Sequence, residues 1–217
     1  MNSFIQLFLK ELRQEWRNRF LFSALILFVL STIFICYLSF KQITNIPTWN
    51  ALWWIILLFT VVQSSSRSFM AESRGQTLFH YYLASPLAIL FSRMAFVTIL
   101  MLVVTTLGYL IYSLLLGNMV QLKFQFLIGT YLGATALSAA FTFVSSLAAK
   151  SGNNSTLMTI LGLPIITPVL LIAIRMTKNA ADGISFADNP DYFFGQVAMI
   201  VVIVALSAIL YPYISKE

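Results

Sequence analysis

Charge is scarce in this sequence. Only 9% of its 217 residues are Asp, Glu, Lys or Arg, against roughly 25% in an average soluble domain. The apolar share is 59% and the mean hydropathy is +0.88. A chain of this length has no soluble core large enough to take up that much apolar surface, so its solvent is lipid. Strict alternation of apolar and polar residues is also missing, which argues against a β-barrel. There is one cysteine, Cys36, so no intrachain disulfide can form and the redox compartment is not legible. There is one histidine, His80, with no second ligand near it in the sequence. No G-x-x-x-x-G-K-[ST] occurs, and none of the six lysines follows a glycine, so the chain carries no P-loop of its own. C-x-x-C, C-x-x-C-H and H-E-x-x-H are absent, as is any acid–base or nucleophile constellation. The apolar runs hold almost no ionisable groups, whereas a proton-coupled transporter places Asp, Glu or His inside them. No filter or charged ring of a channel is visible. These absences leave a membrane part that is not an enzyme, holds no metal or resident cofactor, and takes its energy from elsewhere.

What is present is a series of apolar runs. At about 20 residues per helical span, six fit: about 21–40, 49–66, 94–116, 124–149, 156–176 and 193–213. The expected fold is all-α, a single transmembrane permease domain over 1–217. Ahead of the first span, Phe4, Phe8, Leu12, Trp16 and Phe20 recur every four residues, with Lys10, Arg13, Arg17 and Arg19 mostly on other faces. That pattern predicts an amphipathic helix over 3–20 lying in the headgroup layer of the bilayer. The alternative is a water-exposed extension of the first span. The second span opens with Trp49, Trp53 and Trp54, which read as an aromatic anchor at one interface. The fourth carries Gly129 and Gly133 as G-x-x-x-G, followed by Ala136 and Ala140. Small residues at this spacing let two helices approach closely, either within the chain or between two copies. The fifth carries Pro164 and Pro168 one turn apart, each removing a backbone donor and predicting a kink. Residues 177–192 form a polar interval with Asp182, Asp188 and Asp191.

Orientation follows from Lys and Arg. With the N-terminus inside, the inner segments hold nine (Lys10, Arg13, Arg17, Arg19, Arg67, Arg74, Arg93, Lys150 and Lys216) and the outer segments four (Lys41, Lys123, Arg175 and Lys178). The positive-inside rule places both termini in the cytoplasm. Because the basic residues flank spans and form no single patch, no nucleic-acid partner is expected.

The longest polar interruption, 67–93, then faces the cytoplasm. Arg67 ends the second span in this reading and Arg93 begins the third. Glu72 and Arg74 are solvated, Gly75 breaks or turns the helix, and Leu78, Phe79, Tyr82 and Leu83 are apolar at helical spacing. Ala84-Ser85-Pro86 closes the segment, since the residue before proline is biased away from the helical region. A short amphipathic helix between Gly75 and Pro86 suits docking into a groove on a soluble partner. A plain solvated loop is the other reading.

The block E-x-x-x-G-x-x-x-x-x-x-L-x-S-P-L, here Glu72 to Leu87 with Gly75 displaced by one place, resembles the inner segment of type-2 ABC exporter permeases. The ordered set of K-E-L-R (Lys10 to Arg13), the Gly75–Pro86 block and L-P-x-x-x-P-x-L-L-I (Leu163 to Ile172) resembles the CcmB family over nearly the whole chain. Ala84-Ser85-Pro86 stands where some relatives are richer in proline. The resemblance implies a permease of the bacterial inner membrane that serves haem export in cytochrome c maturation. It implies a separate CcmA-like ATPase and CcmC-like and CcmD-like membrane partners; a second permease copy is a further candidate partner. Haem is then a substrate of the complex, handled at the outer face where the haem chaperone is released. Glu72, Arg74, Gly75, Leu78, Phe79, Tyr82, Leu83, Ser85 and Pro86 correspond to the helix that sits on the ATPase. Alternatives from the residues alone are an ABC-2 permease for another substrate and a membrane scaffold without transport.

Overall fold

The computed structural model describes residues 3–18, 20–40, 45–70, 85–150 and 155–214. They form seven helices and no strand: α1 (Ser3–Asn18), α2 (Phe20–Ser39), α3 (Ile46–Met70), α4 (Pro86–Leu115), α5 (Lys123–Lys150), α6 (Ser155–Asp182) and α7 (Pro190–Ile214). Six, α2 to α7, are long and apolar enough to cross a membrane. The expected all-α six-span architecture is therefore observed.

Helix α5 is the post around which the others stand. It packs against α3, α4, α6 and α7 and is the most buried span. The reason is side-chain size: Gly129, Gly133, Ala134, Ala136, Ala139 and Ala140 leave room for neighbouring helices on several sides. A Cβ at Gly133 would fall inside the van der Waals surface of the Trp54 ring and 3.0 Å from Ala173 Cβ. A Cβ at Gly129 would lie 3.1 Å from Thr177 Cγ2. The G-x-x-x-G pair thus serves packing of α3 and α6 on α5 within the chain, which decides between the two readings of the motif.

The three tryptophans depart from expectation. Trp49, Trp53 and Trp54 are 0–1% exposed; they are core, not a lipid-facing belt. Trp49 meets Tyr112 edge-on and Trp53 meets it tilted, with ring centroids 4.9 and 5.2 Å away. Trp54, about 100° further round the helix, turns to α5 and α6. Each of two indoles reaches a polar partner: Trp49 Nε1 donates to Gly117 O at 3.0 Å and Trp54 Nε1 to Thr177 Oγ1 at 2.8 Å. A buried Trp is stable when its N–H is so bonded. Runs of Trp near a span end fit either location by composition; only the neighbours decide.

Thr177 is a node. It accepts from Trp54, and its hydroxyl lies 3.0 Å from Asn50 Oδ1 and 2.8 Å from Ala173 O. Asn50 Nδ2 donates to Ile174 O at 2.9 Å. Helices α3 and α6 are joined by this network at one end of the bundle. Thr177→Val keeps the shape and removes the oxygen, leaving the Trp54 N–H unsatisfied. The expected loss is about 1–3 kcal/mol, read as a lower thermal midpoint of the detergent-solubilised protein. Thr177→Ser should retain most of the stability.

Span boundaries shift at polar residues. Helix α4 begins at Pro86, eight residues before the expected 94, and α6 runs to Asp182, six beyond the expected 176. Both helices continue beyond the apolar runs from which the spans were drawn, which a hydropathy reading misses. Residues 177–182 of the polar interval are thus helical. Two of its three acids are engaged locally: Lys178 Nζ donates to Asp182 Oδ2 at 2.7 Å, and Ser185 N donates to Asp188 Oδ2 at 3.2 Å.

Candidate functional site

One end of the bundle is tightly knit. The α4–α5 connection turns at Gly117, whose φ of +81° is left-handed and suits glycine because it has no Cβ to clash. Gln121 N and Leu122 N then donate to Ala181 O and Ala180 O of α6, at 3.3 and 3.1 Å. Gln125 of α5 holds the α6–α7 connection, accepting from Phe186 N at 2.9 Å and donating to Ser185 Oγ at 3.1 Å. Helices α4, α5, α6 and α7 are therefore tied together here through their connections.

The opposite end holds α1 and the start of α4. Ser85 caps α4: its backbone is extended (φ −63°, ψ 144°), its Oγ accepts from Ala88 N at 3.4 Å, and Pro86 occupies the first helical position. Proline is preorganised there and its missing N–H costs nothing. Of the residues expected to form the coupling segment, Ser85 and Pro86 are thus the entry to α4. Glu72, Arg74, Gly75, Leu78, Phe79, Tyr82 and Leu83 lie outside the described residues, as does His80. Arg67 falls within α3, which continues to Met70 and does not stop at the arginine.

Arg93 corrects a second expectation. It does not begin a span; it lies seven residues inside α4 and is 5% exposed. Its Nε donates to Glu11 Oε1 of α1 at 3.3 Å. A buried guanidinium needs such a partner, since an unpaired buried charge costs several kcal/mol. The pair pins α1 to α4, and α1 packs on both α4 and α2. Phe8 turns toward the core, while Ile5, Leu9 and Leu12 stay 41–46% exposed. An apolar stripe left uncovered by the bundle, beside the basic Lys10, Arg13 and Arg17, is the pattern of a helix lying at a lipid surface. The sequence reading missed the ion pair because its members are 82 residues apart. A local signal existed: the Ser85-Pro86 cap fixes where α4 starts, and an arginine two turns later must be inside it.

Pro164 and Pro168 both lie inside α6, which runs through them. Each lacks an N–H, so the carbonyls of Ile160 and Pro164 lose their intrahelical donors. Thr167 Oγ1 donates to Leu163 O at 2.7 Å, and Pro164 is exposed to the surroundings of the bundle. A groove of about 500 Å³ between α4 and α5 is lined mainly by Leu102, Val103, Ile128 and Leu132. Thr106 and Tyr131 meet across it at 2.9 Å.

The arrangement is a membrane bundle, stiffened at one end and presenting at the other an interfacial helix ion-paired to a span. No curated protein and no solved structure gives a significant match to the chain. The family description "CcmB protein" does match, over residues 2–216. Nearly the whole chain is covered, and the six apolar helices agree with it: the chain belongs to the CcmB family, the membrane permeases of the haem exporter for cytochrome c maturation.

Proposed function

We propose that this permease couples ATP hydrolysis on a separate CcmA-like ATPase to haem handling, or haem-chaperone release, at the outer face of the membrane. The observation that carries this reading is the ion-paired attachment of α1 to α4 at the end where the 71–84 segment joins α3 to α4. A displacement of that segment acts on the capped start of α4, and the Glu11–Arg93 pair makes α1 move with it. The opposite end, laced by Gln121, Gln125 and Thr177, holds the connections together while the helices tilt. Six spans put both termini on one side, and the excess of Lys and Arg in the segments on that side supports its being the cytoplasm. The coupling segment is then cytoplasmic, within reach of an ATPase, and the α6–α7 connection is outside. The proline pair in α6 supplies the hinge, because a helix missing two adjacent hydrogen bonds bends at low cost. Haem is a substrate of the complex and not a resident cofactor of this chain. CcmC-like and CcmD-like proteins and a second permease copy complete the assembly within the bilayer.

Leu78→Glu tests the coupling segment. A charge on its apolar face is expected to reduce co-purification of the ATPase by tenfold or more. The thermal midpoint of the permease should stay unchanged. Wild-type recovery of the ATPase by this variant removes the coupling role. Deleting the chain should abolish c-type cytochromes; their persistence would instead favour an ABC-2 permease for another substrate.

A further inference from the structure

Helix α1 carries its charges in register. Its bases stand at 10, 13 and 17 and its acids at 11 and 15. At about 100° per residue, the three bases fall within roughly 60° of arc, centred about 150° round the helix from the midpoint of the two acid positions. Lys10, Arg13 and Arg17 are all exposed.

Neighbours fix the rotation of α1. Glu11 meets Arg93, and Phe8 packs against the buried core, so the arc between these two faces the bundle. The uncovered apolar arc of Ile5, Leu9 and Leu12 is centred about 100° round from it. The bases follow about 100° further in the same sense. They therefore form a strip on the flank of α1 that faces away from α2 and α4.

The angle between the apolar arc and the basic strip selects the partner. With Ile5, Leu9 and Leu12 turned into the bilayer, a strip about a quarter-turn away lies level with the lipid phosphates. A strip opposite the apolar arc would instead face the water phase, where an acidic soluble protein would meet it. Arg and Lys also suit the headgroup level, since their stems cover apolar surface while their charged ends reach phosphate oxygens. Several basic residues on one amphipathic helix add their attractions to an anionic membrane surface. We propose that Lys10, Arg13 and Arg17 form a binding strip for the headgroups of acidic phospholipids. Helix α1 is then held on both flanks, by Arg93 of α4 on one and by lipid phosphates on the other. Because the Glu11–Arg93 pair and Phe8 set its rotation, the bundle itself keeps the strip at the headgroup level.

The test is the local lipid composition around α1 in the full chain with Cys36 replaced by Ala. Leu9→Cys, on the apolar arc, is labelled with a small thiol-reactive fluorophore. The protein is reconstituted into phosphatidylcholine vesicles containing a minor share of phosphatidylglycerol. Either the phosphatidylglycerol or an equal share of the phosphatidylcholine carries brominated acyl chains, which quench on contact. Expected is quenching at least threefold stronger by the brominated phosphatidylglycerol. Arg13→Gln with Arg17→Gln should remove that preference while both lipids still quench, and Arg13→Lys with Arg17→Lys should keep it. Equal quenching by the two lipids with the strip intact would overturn the proposal in favour of an acidic soluble partner. A preference that survives the paired Gln substitutions would overturn it too, by placing the lipid elsewhere on the bundle. Absence of quenching by either lipid would overturn the orientation of α1 on which the strip rests. Inorganic phosphate added at constant ionic strength should leave the preference intact; its loss would make the strip a site for free phosphate. The coupling role, tested at Leu78, enters none of these measurements.

Discussion

Gly133→Leu should prevent the permease from accumulating in the membrane, and Gly133→Ala should already lower its thermal midpoint. At Gly133 the α5 backbone meets the Trp54 ring on one side and Ala173 Cβ on the other. The ring has little freedom to withdraw, because Trp54 Nε1 is bonded to Thr177 and the side chain is 1% exposed. Overpacking a close-packed core costs about 1–3 kcal/mol when neighbours can shift; here the shift also breaks the Trp54–Thr177 bond, adding about 1–3 kcal/mol for the groups left unpaired. Gly117→Ala separates steric from backbone effects. Nothing lies within 4 Å of a Cβ there, but the φ is +81°, so about 1–2 kcal/mol of dihedral strain is all it should cost. Both variants are compared by the fraction that remains monodisperse after heating in detergent. Equal behaviour of Gly133→Leu and Gly117→Ala would mean that the α3–α5–α6 contact is loose.

Glu11→Ala should have the second largest effect. It removes the carboxylate beside Arg93, whose side chain is 6% exposed, while that of Glu11 is 21% exposed. Removing one member of a buried pair typically costs about 3–5 kcal/mol. The partial exposure of Glu11 puts the expected loss at the lower end of that range. Arg93→Leu should cost less than Glu11→Ala, because the more exposed carboxylate left behind is easier to hydrate. The double variant should recover part of the loss, since no buried charge then remains. The measurement is a double-mutant cycle on the thermal midpoint; strictly additive effects would show that the two residues do not act as a pair. Loss of ATPase stimulation in Glu11→Ala, with the ATPase still bound, is the further outcome expected if the pair passes movement from α4 to α1.

Much of the fold was legible because lipid imposes strict rules. A membrane-spanning helix needs about 20 apolar residues, so the count of six spans follows from hydropathy alone. The amphipathic α1 was legible from its four-residue apolar spacing. The Ser-Pro pair at 85–86 carries the signature of a helix start, although span length set from apolar residues placed that start too late. The tryptophans of α3 were assigned to the wrong environment. Their amphipathic character suits a headgroup belt, and in the bundle the indole N–H groups of Trp49 and Trp54 are satisfied instead by Gly117 O and Thr177 Oγ1, while Trp53 is buried among aromatic rings. The coupling segment, Glu72 to Leu83, remains an assignment from the sequence, joined by Ser85 and Pro86 as the cap of α4.

By itself the sequence determined the membrane setting, the number of spans, the interfacial character of α1 and, through ordered motifs, the family. These depend on composition and short-range periodicity, which each segment carries alone. Only the tertiary structure decided that Gly129 and Gly133 serve contacts within the chain, that Trp49, Trp53 and Trp54 are core, and that Arg93 is buried against Glu11. Burial and pairing are properties of neighbours tens of residues away, and in an apolar chain nearly every helix face looks alike until those neighbours are in place.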